Sequence, residues 1–426
     1  MPRIFLGVVA DDFTGAADAA SFLVASGIPT LLFNGIPKEN FCPSEDVSAI
    51  VIALKSRTCP VQEAVKESLY AFRWLMRQGT EHLYFKYCST FDSTNEGNIG
   101  PVIDAMLEEL QLSYTLLCPA LPVNGRTVKD GRLFVHGVPL NETHMRYHPL
   151  TPMTDSYIPN LMTGQGKHPS VLFPANRFSE ESRVRGNGNL MHVAQKDKKE
   201  RFYVIPDYYE ESHGDDIARI FGNLPFLTGG SGLIGALGRL YAKEIEATAD
   251  AVGKASNTDA PVALLLAGSC SAITLEQIAT YKNEGHPCRK LDPLKLLDGT
   301  ESEDTLYEWA TSFENGLIYS SASNTELRHS QKVGKERVAE VVEKTFAGLA
   351  SRAIRSGYDA VVVAGGETSG AVVKALAYYS FYVGENVAPG VPVLYPTDAP
   401  NIKIILKSGN FGQPDFFSRA LKAIGL

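Results

Sequence analysis

The run Ile4-Phe5-Leu6-Gly7-Val8-Val9-Ala10-Asp11-Asp12-Phe13-Thr14-Gly15 decides the fold. Its apolar half reads as a strand buried on both faces. Ala16, Ala19, Ala20 and Leu23 then recur at helical spacing. Two adjacent carboxylates, Asp11 and Asp12, therefore stand where a strand hands over to a helix. Open α/β sheets put their chemistry there, outside the carboxyl ends of the strands. In isolation Asp12 or Thr14 would do no more than cap the helix; the surrounding chain decides between cap and chemistry.

Outward from that run, apolar segments at 30–33, 49–54, 83–87 and 114–117 read as strands. They alternate with helical patterns at 62–77 and 101–110, the second with Pro101 at its expected first position. This βαβ rhythm predicts parallel strands. Residues 119–159 are rich in Pro, Asn and Gly and read as loops, and 164–200 are polar and weakly patterned. A strand near 202–205, a helix near 215–221 and a short strand at 224–228 lead into Gly229-Gly230-Ser231-Gly232 and another helix. Residues 247–260 lack apolar periodicity and have a linker's composition. The expected domains are thus 1–246 and 261–426. The second restarts with strands at 262–267, 317–320, 360–364 and 402–406 and helices near 272–281, 335–355 and 370–378. The fold class is α/β, two domains, each on a mainly parallel sheet flanked by helices, with the active site expected in the cleft between them.

The 426-residue length exceeds what one core usually serves, and 44% hydrophobic with 21% charged residues is a globular composition. A net charge of -8 argues against nucleic acid or a membrane surface as partner. The N-terminal apolar run is too short for a membrane span and follows no basic leader, so neither anchor nor signal peptide is expected. Six scattered cysteines form no CxxC pair, which suits a reduced, cytoplasmic protein without a zinc or disulfide framework. The sequence leaves self-association open.

Three strands of the second half end in small-residue turns: Gly268-Ser269-Cys270-Ser271, Gly365-Gly366-Glu367-Thr368-Ser369-Gly370 and Lys407-Ser408-Gly409-Asn410-Phe411-Gly412. Each alone is ordinary turn chemistry. Three on one edge of a parallel sheet suit phosphates, because glycine admits close approach and helix starts present N–H groups. No GxxxxGK[ST] occurs, so this is not a P-loop. Gly230-Ser231-Gly232-Leu233-Ile234-Gly235 fits GxGxxG, but it closes the first half without a following strand to carry a ribose-binding acid, so a helix-terminus turn is expected instead of a dinucleotide site. His144 and His148, four apart, lack companion ligands and read as surface or packing residues. No Gly-x-Ser-x-Gly elbow is present.

In the first half a strand delivers Lys86, and the loop Cys88-Ser89-Thr90-Phe91-Asp92-Ser93-Thr94 with Asn98 offers hydroxyls and an amide at a density that suits a polyhydroxylated molecule. The plainer alternative is a polar capping loop. Lys55 and Arg57 after the third strand, and Arg126 in Pro122-Val123-Asn124-Gly125-Arg126-Thr127, add cations for a carboxylate.

Taken together, Asp11 to Gly15, Lys86 to Asn98, Thr228 to Gly232 and the three turns resemble the four-carbon acid sugar kinase family. The resemblance runs from the first strand to the last helix and lapses mainly over 164–200. It implies an N-terminal domain that binds a tetronic acid, a C-terminal domain that binds ATP, and phosphorylation of the acid's terminal hydroxyl. Threonate and erythronate kinases of the family carry Lys-x-x-Ser-Thr-x-Arg-Gly-Asn. Here Asp92 falls where that arginine would stand, and the wording at 85–94 and 122–127 is similar to the branch acting on 3-oxo acids. Lys86, Arg57 or Arg126 must then hold the carboxylate. The resemblance makes Asp12 the expected base with Asp11 second, Lys55, Arg57, Lys86, Ser89, Thr90, Asp92, Asn98 and Arg126 the substrate residues, and Ser269, Ser271, Gly365, Gly366, Glu367, Thr368, Ser369, Gly409 and Asn410 the ATP residues. Mg2+ is expected with the ATP, without a legible ligand set, and domain closure would exclude water. A nicotinamide dehydrogenase and a non-catalytic sugar-acid sensor are the rival readings.

Overall fold

A computed structural model describes residues 4–44, 46–147, 151–181, 201–245, 262–320 and 334–426. The chain divides into two compact units, Met1–Ala251 and Val252–Leu426. The linker expected at 247–260 and His148 lie outside the described residues.

The first unit runs β1 (Leu6–Ala10), α1 (Phe13–Ala25), β2 (Thr30–Asn34), β3 (Ala49–Ala53), α2 (Val61–Arg77), β4 (His82–Lys86), α3 (Ile99–Glu109), β5 (Tyr114–Leu116), β6 (Arg126–Lys129), β7 (Arg132–Val135), β8 (Val138–Pro139), β9 (Ser170–Phe173), β10 (Phe202–Pro206), α4 (Glu211–Phe221), β11 (Phe226–Gly229) and α5 (Ser231–Tyr241), with short helical turns between them. Its main sheet has the order β11-β4-β1-β3-β2, and every pairing is parallel. Leu6, Val8, Val9 and Ala10 are fully enclosed, as strands covered on both faces require. The chain leaves β1 for β2 and β3 on one side and returns at β4 on the other. β1 is therefore the topological switch point, where a ligand crevice forms.

Residues 119–159 do more than the loops expected of them. β6, β7 and β8 form an antiparallel meander. Its first turn is Asp130-Gly131, with φ of 50° and 74°, and its second is His136-Gly137, with φ of 51° and 80°. Two residues at positive φ are the hairpin turn that matches strand twist. β5-β10-β9 form a second parallel sheet. α3 begins at Ile99, so Pro101 is its third residue and not its first. Proline is tolerated there because first-turn N–H groups have no helical partner.

The glycines of 230–235 belong to α5 and its N-cap, and α5 packs on α1. A Cβ at Gly235 would come 2.9 Å from Phe22 Cδ1, and one at Gly238 2.8 Å from Ser26 Oγ. Gly235 of the GxGxxG match thus belongs to a close-packing seam between helices, whereas Gly230 and Gly232 abut the backbone of Pro119 and Ala120.

The second unit runs β12 (Ala263–Ala267), α6 (Ala272–Asn283), β13 (Cys288–Lys290), β14 (Leu317–Tyr319), α7 (Lys335–Arg355), β15 (Ala360–Ala364), α8 (Gly366–Leu376), β16 (Ser380–Ala388), β17 (Val391–Pro396), β18 (Lys403–Lys407) and α9 (Phe416–Ile424), with two short helices, Pro293–Asp298 and Glu303–Ala310, between β13 and β14. The sheet order within this unit is β16-β17-β18-β15-β12-β14-β13. It is parallel except at β16-β17 and β17-β18. Leu265, Val362 and Ile405 pack with Phe416, Phe417 and Leu421 of α9 in its core. The β16-β17 hairpin has no counterpart in the sequence reading. α8 starts at Gly366 instead of Gly370: glycine's low helix propensity hides the first turn.

Candidate active site

Backbone register brings the carboxyl ends of three strands level. Ala10 pairs with Ala53 and Lys86, so Asp11, Leu54 and Tyr87 are the first residues past the sheet. The main chain stitches them together: Asp11 N–H donates to Lys86 O, and Ser56 and Arg57 N–H both donate to Asp11 O.

Asp11 and Asp12 then divide. The Asp11 side chain is 6% exposed, and Arg57 grips it with two hydrogen bonds, Nε to Oδ2 at 2.9 Å and Nη2 to Oδ1 at 2.7 Å. The Asp12 side chain is 29% exposed and lies 3.0 Å from Arg57 Nη1. Asp12 is also the N-cap of α1: with φ of -148° its Oδ1 accepts from Gly15 N at 2.7 Å, and Oδ2 accepts from Thr14 Oγ1 at 3.1 Å. A carboxylate has about four acceptor sites, so these three donors leave one for a ligand. Burial pushes the Asp12 carboxyl up, but Arg57, then Lys86, the Gly15 amide and the Thr14 hydroxyl outweigh it and hold it below the usual aspartate range. Cap and chemistry are thus compatible in one residue. Gly15 is required beside it: a Cβ there would overlap Asp12 Oδ1 and come 3.3 Å from Lys86 Nζ.

Arg57 was expected to be a free cation for substrate. Its guanidinium is instead spent on Asp11 and Asp12, with Asp92 Oδ2 at 4.0 Å. Lys86 is buried as well; Nζ donates to Tyr87 O at 3.0 Å and lies 3.7 Å from Asp18 Oδ2. Asn98 Nδ2 donates to Ser56 O, Cys59 O and Arg57 O at 2.7, 2.9 and 3.3 Å and so braces the Arg57 loop, while its Oδ1 is a buried acceptor without a partner. Lys55 is exposed. Thr90 Oγ1 donates to Asp92 Oδ1 at 2.6 Å, and Ser89 is half-buried beside them. Burial, then Asp92, pushes the Cys88 thiol up to about 12, which makes it inert.

Arg126 retains hydrogen-bonding capacity. Arg126 is buried, and its Nη1 donates to Asn124 O, but its Nε has no partner. Asn124 Nδ2 is a second buried donor without one. Two orphaned donors on one short segment fit an acceptor-rich group such as a carboxylate. Asn124 escaped the sequence reading, and so did Asp18, which accepts from Ser231 Oγ and meets Lys86. A lone aspartate on the alanine stripe of α1 was the signal for Asp18.

In the second unit the three turns meet. Ser271 caps α6 and its Oγ donates to Gly409 O at 2.6 Å. A Cβ on Gly268 would overlap Thr368 Oγ1, and one on Gly365 would stand 3.0 Å from Ser269 N. Gly365 has φ of 135°, a conformation that favours glycine. No side chain caps α8, so the N–H groups of Gly366, Glu367 and Thr368 lack helical partners and are of the kind that suits an anion. Gly366 and Glu367 are exposed, Thr368 and Ser369 buried. Ser369 Oγ has no partner.

Among the described residues no cluster of three His, Cys, Asp or Glu could hold a metal, and no helix is long and apolar enough to cross a membrane.

A family model described as a sugar-binding N-terminal domain matches residues 6–237, and one described as a nucleotide-binding C-terminal domain matches residues 264–417. Fold, site and these matches together define a two-domain kinase of small acids, and the chain belongs to the four-carbon acid sugar kinase family. Within it the chain is similar to proteins named 3-oxo-tetronate kinase. The Salmonella typhimurium protein is 42% identical over 97% of this chain and 98% of its own, and that of Pectobacterium atrosepticum is 40% identical over 98% and 99%. A solved Salmonella typhimurium structure, labelled provisionally as a tRNA synthase, is similar with a TM-score of 0.85 and 41% identity over 98% of this chain and 99% of that one.

Proposed function

We propose that this chain transfers the γ-phosphoryl group of ATP to the terminal hydroxyl of 3-oxo-tetronate. The observation that carries the reading is the identity of about 40% across nearly the whole chain with proteins of that name. The geometry supports roles for this chain's residues. Asp12, ionised and with one acceptor site open, takes the proton of the attacking alcohol. Phosphoryl transfer proceeds through a loose transition state, so a weak but well-placed base suffices. Arg57 and Asp11 fix that carboxylate; Lys86 offsets its charge from beneath. Arg126 and Asn124 receive the substrate's carboxylate, and Ser89, Thr90 and Asp92 face its oxygens. The N–H groups of Gly366, Glu367 and Thr368, with the Ser269 to Ser271 and Gly409 to Asn410 turns, hold the nucleotide.

Mg2+ fits this site in one mode. Among the described residues no three-ligand cluster occurs, so the ion would be held chiefly by the nucleotide's phosphates with a carboxylate added, for which Glu367, exposed in the first turn of α8, is placed. When bound it offsets phosphate charge. The six free cysteines suit a cytoplasmic setting.

ATP consumption measured with threonate, erythronate and their 3-oxo forms tests the reading. The 3-oxo acid should give the highest kcat/KM. Faster turnover of threonate or erythronate would reassign the substrate, and no ATP consumption with any of the four would refute the kinase.

A further inference from the structure

Lys407 ends β18 with its side chain wholly enclosed, and the reaction as described above does not use it. Its Nζ donates to Thr274 Oγ1 at 3.0 Å, Ser408 O at 3.1 Å and Gly409 O at 3.2 Å, which uses all three ammonium protons. The Gly409 carbonyl also accepts from Ser271 Oγ at 2.6 Å and Thr274 Oγ1 at 2.9 Å. Three donors thus converge on one carbonyl and turn it, with its predecessor, into the protein. In a trans peptide the N–H points opposite the C=O. The amides of Gly409 and Asn410 are therefore directed away from Lys407, and among the described residues neither donates to a backbone carbonyl. Two successive outward N–H groups form an anion-binding concavity.

We infer that Lys407 is a positioning residue for the nucleotide: it holds two successive carbonyls inward so that the Gly409 and Asn410 N–H groups face a phosphate. The inference rests on the reading that this unit binds ATP. Burial, with no charged partner offsetting it, pushes the Lys407 ammonium down to about 7. Thr274, the Ser408 and Gly409 carbonyls and the Phe416 ring, 5.5 Å from Nζ, are the groups recorded against it. An anion bound at the concavity favours the protonated amine, so nucleotide binding near pH 7.5 draws in part of a proton.

Calorimetric titration with Mg·ADP in buffers of different ionisation enthalpy tests this on the full chain. Lys407→Met should weaken ADP at least tenfold, abolish the proton uptake and leave the KM of the acid unchanged. Thr274→Val removes one donor at nearly constant volume and should weaken ADP several-fold, which keeps the test open if the lysine variant does not fold. Folded variants with wild-type affinity and wild-type proton uptake would overturn the inference. Gly366→Val separates the two failures: if it binds ADP normally, the assignment of the nucleotide site is wrong. If Gly366→Val loses ADP while Lys407→Met keeps it, only the role of Lys407 is wrong.

Discussion

Replacing Asp12 by Asn isolates its charge from its other duty. Asparagine caps helices about as well as aspartate, so the hydrogen bond from Gly15 N, 2.7 Å in the native chain, survives. The lost ion pair with Arg57, 3.0 Å long at a part-exposed carboxylate, is worth up to about 1 kcal/mol. Losing a general base typically costs ~100- to 10,000-fold in rate, or about 2.7–5.5 kcal/mol of barrier. The two scales separate cleanly. With 3-oxo-tetronate and saturating ATP, kcat of Asp12→Asn should fall at least ~100-fold, while nucleotide KM holds and Tm drops by only a few degrees. Asp11→Asn is the contrast. It takes from the Arg57 guanidinium its buried two-bonded partner and leaves it only the part-exposed Asp12 carboxylate, so it should lose more stability than Asp12→Asn. Turnover of Asp12→Asn within ~tenfold of wild type, under about 1.4 kcal/mol, refutes the base assignment.

Arg126→Met should raise the KM for the acid by ~tenfold or more and leave nucleotide KM alone, because a charge-assisted hydrogen bond is worth about 1.5–3 kcal/mol; steady-state kinetics in both substrates reads the split. At Gly366 a Cβ meets nothing within 4 Å, so Gly366→Val should match wild type in thermal melts while its nucleotide KM rises sharply. If Asp12 must be ionised, its lowered carboxyl keeps kcat/KM level as the pH falls through the ordinary aspartate value, and the acid limb lies below it. Folded Arg57→Met, having lost the largest influence lowering that group, should show the limb at higher pH; an unmoved limb would assign it to another residue.

The alternation of buried strand and helix was legible because parallel strands covered on both faces are uninterrupted apolar runs, as at Val8, Val9 and at Val361 to Val363. The meander was less so, although Asp130-Gly131 is a readable hairpin turn; its strands are four residues or fewer. The site's residue types were legible, their allegiances less so. Sequence shows that Arg57, Lys86 and Asn98 lie near one another but not which partner each has. Arg57 and Lys86 turn inward because buried carboxylates of their own unit, Asp11 and Asp18, must be compensated first. Lys407 opens a turn that the sequence marks for phosphates, but nothing in the sequence shows that its side chain folds inward onto Thr274 and the Gly409 carbonyl.

The seam between α1 and α5 places part of the enzyme's vulnerability far from any ligand. From Asp12 to Ser26 the helix spans roughly 20 Å at 1.5 Å per residue, and its far end rests on Gly238 with Phe22 on Gly235. A side chain added at either glycine acts as a wedge under one end of a stiff rod, and the reactive carboxylate is at the other end. In a library selected for loss of turnover with intact folding, substitutions at Gly235 and Gly238 should therefore be recovered beside those at Asp12, as defects of aim in residues that touch no substrate atom.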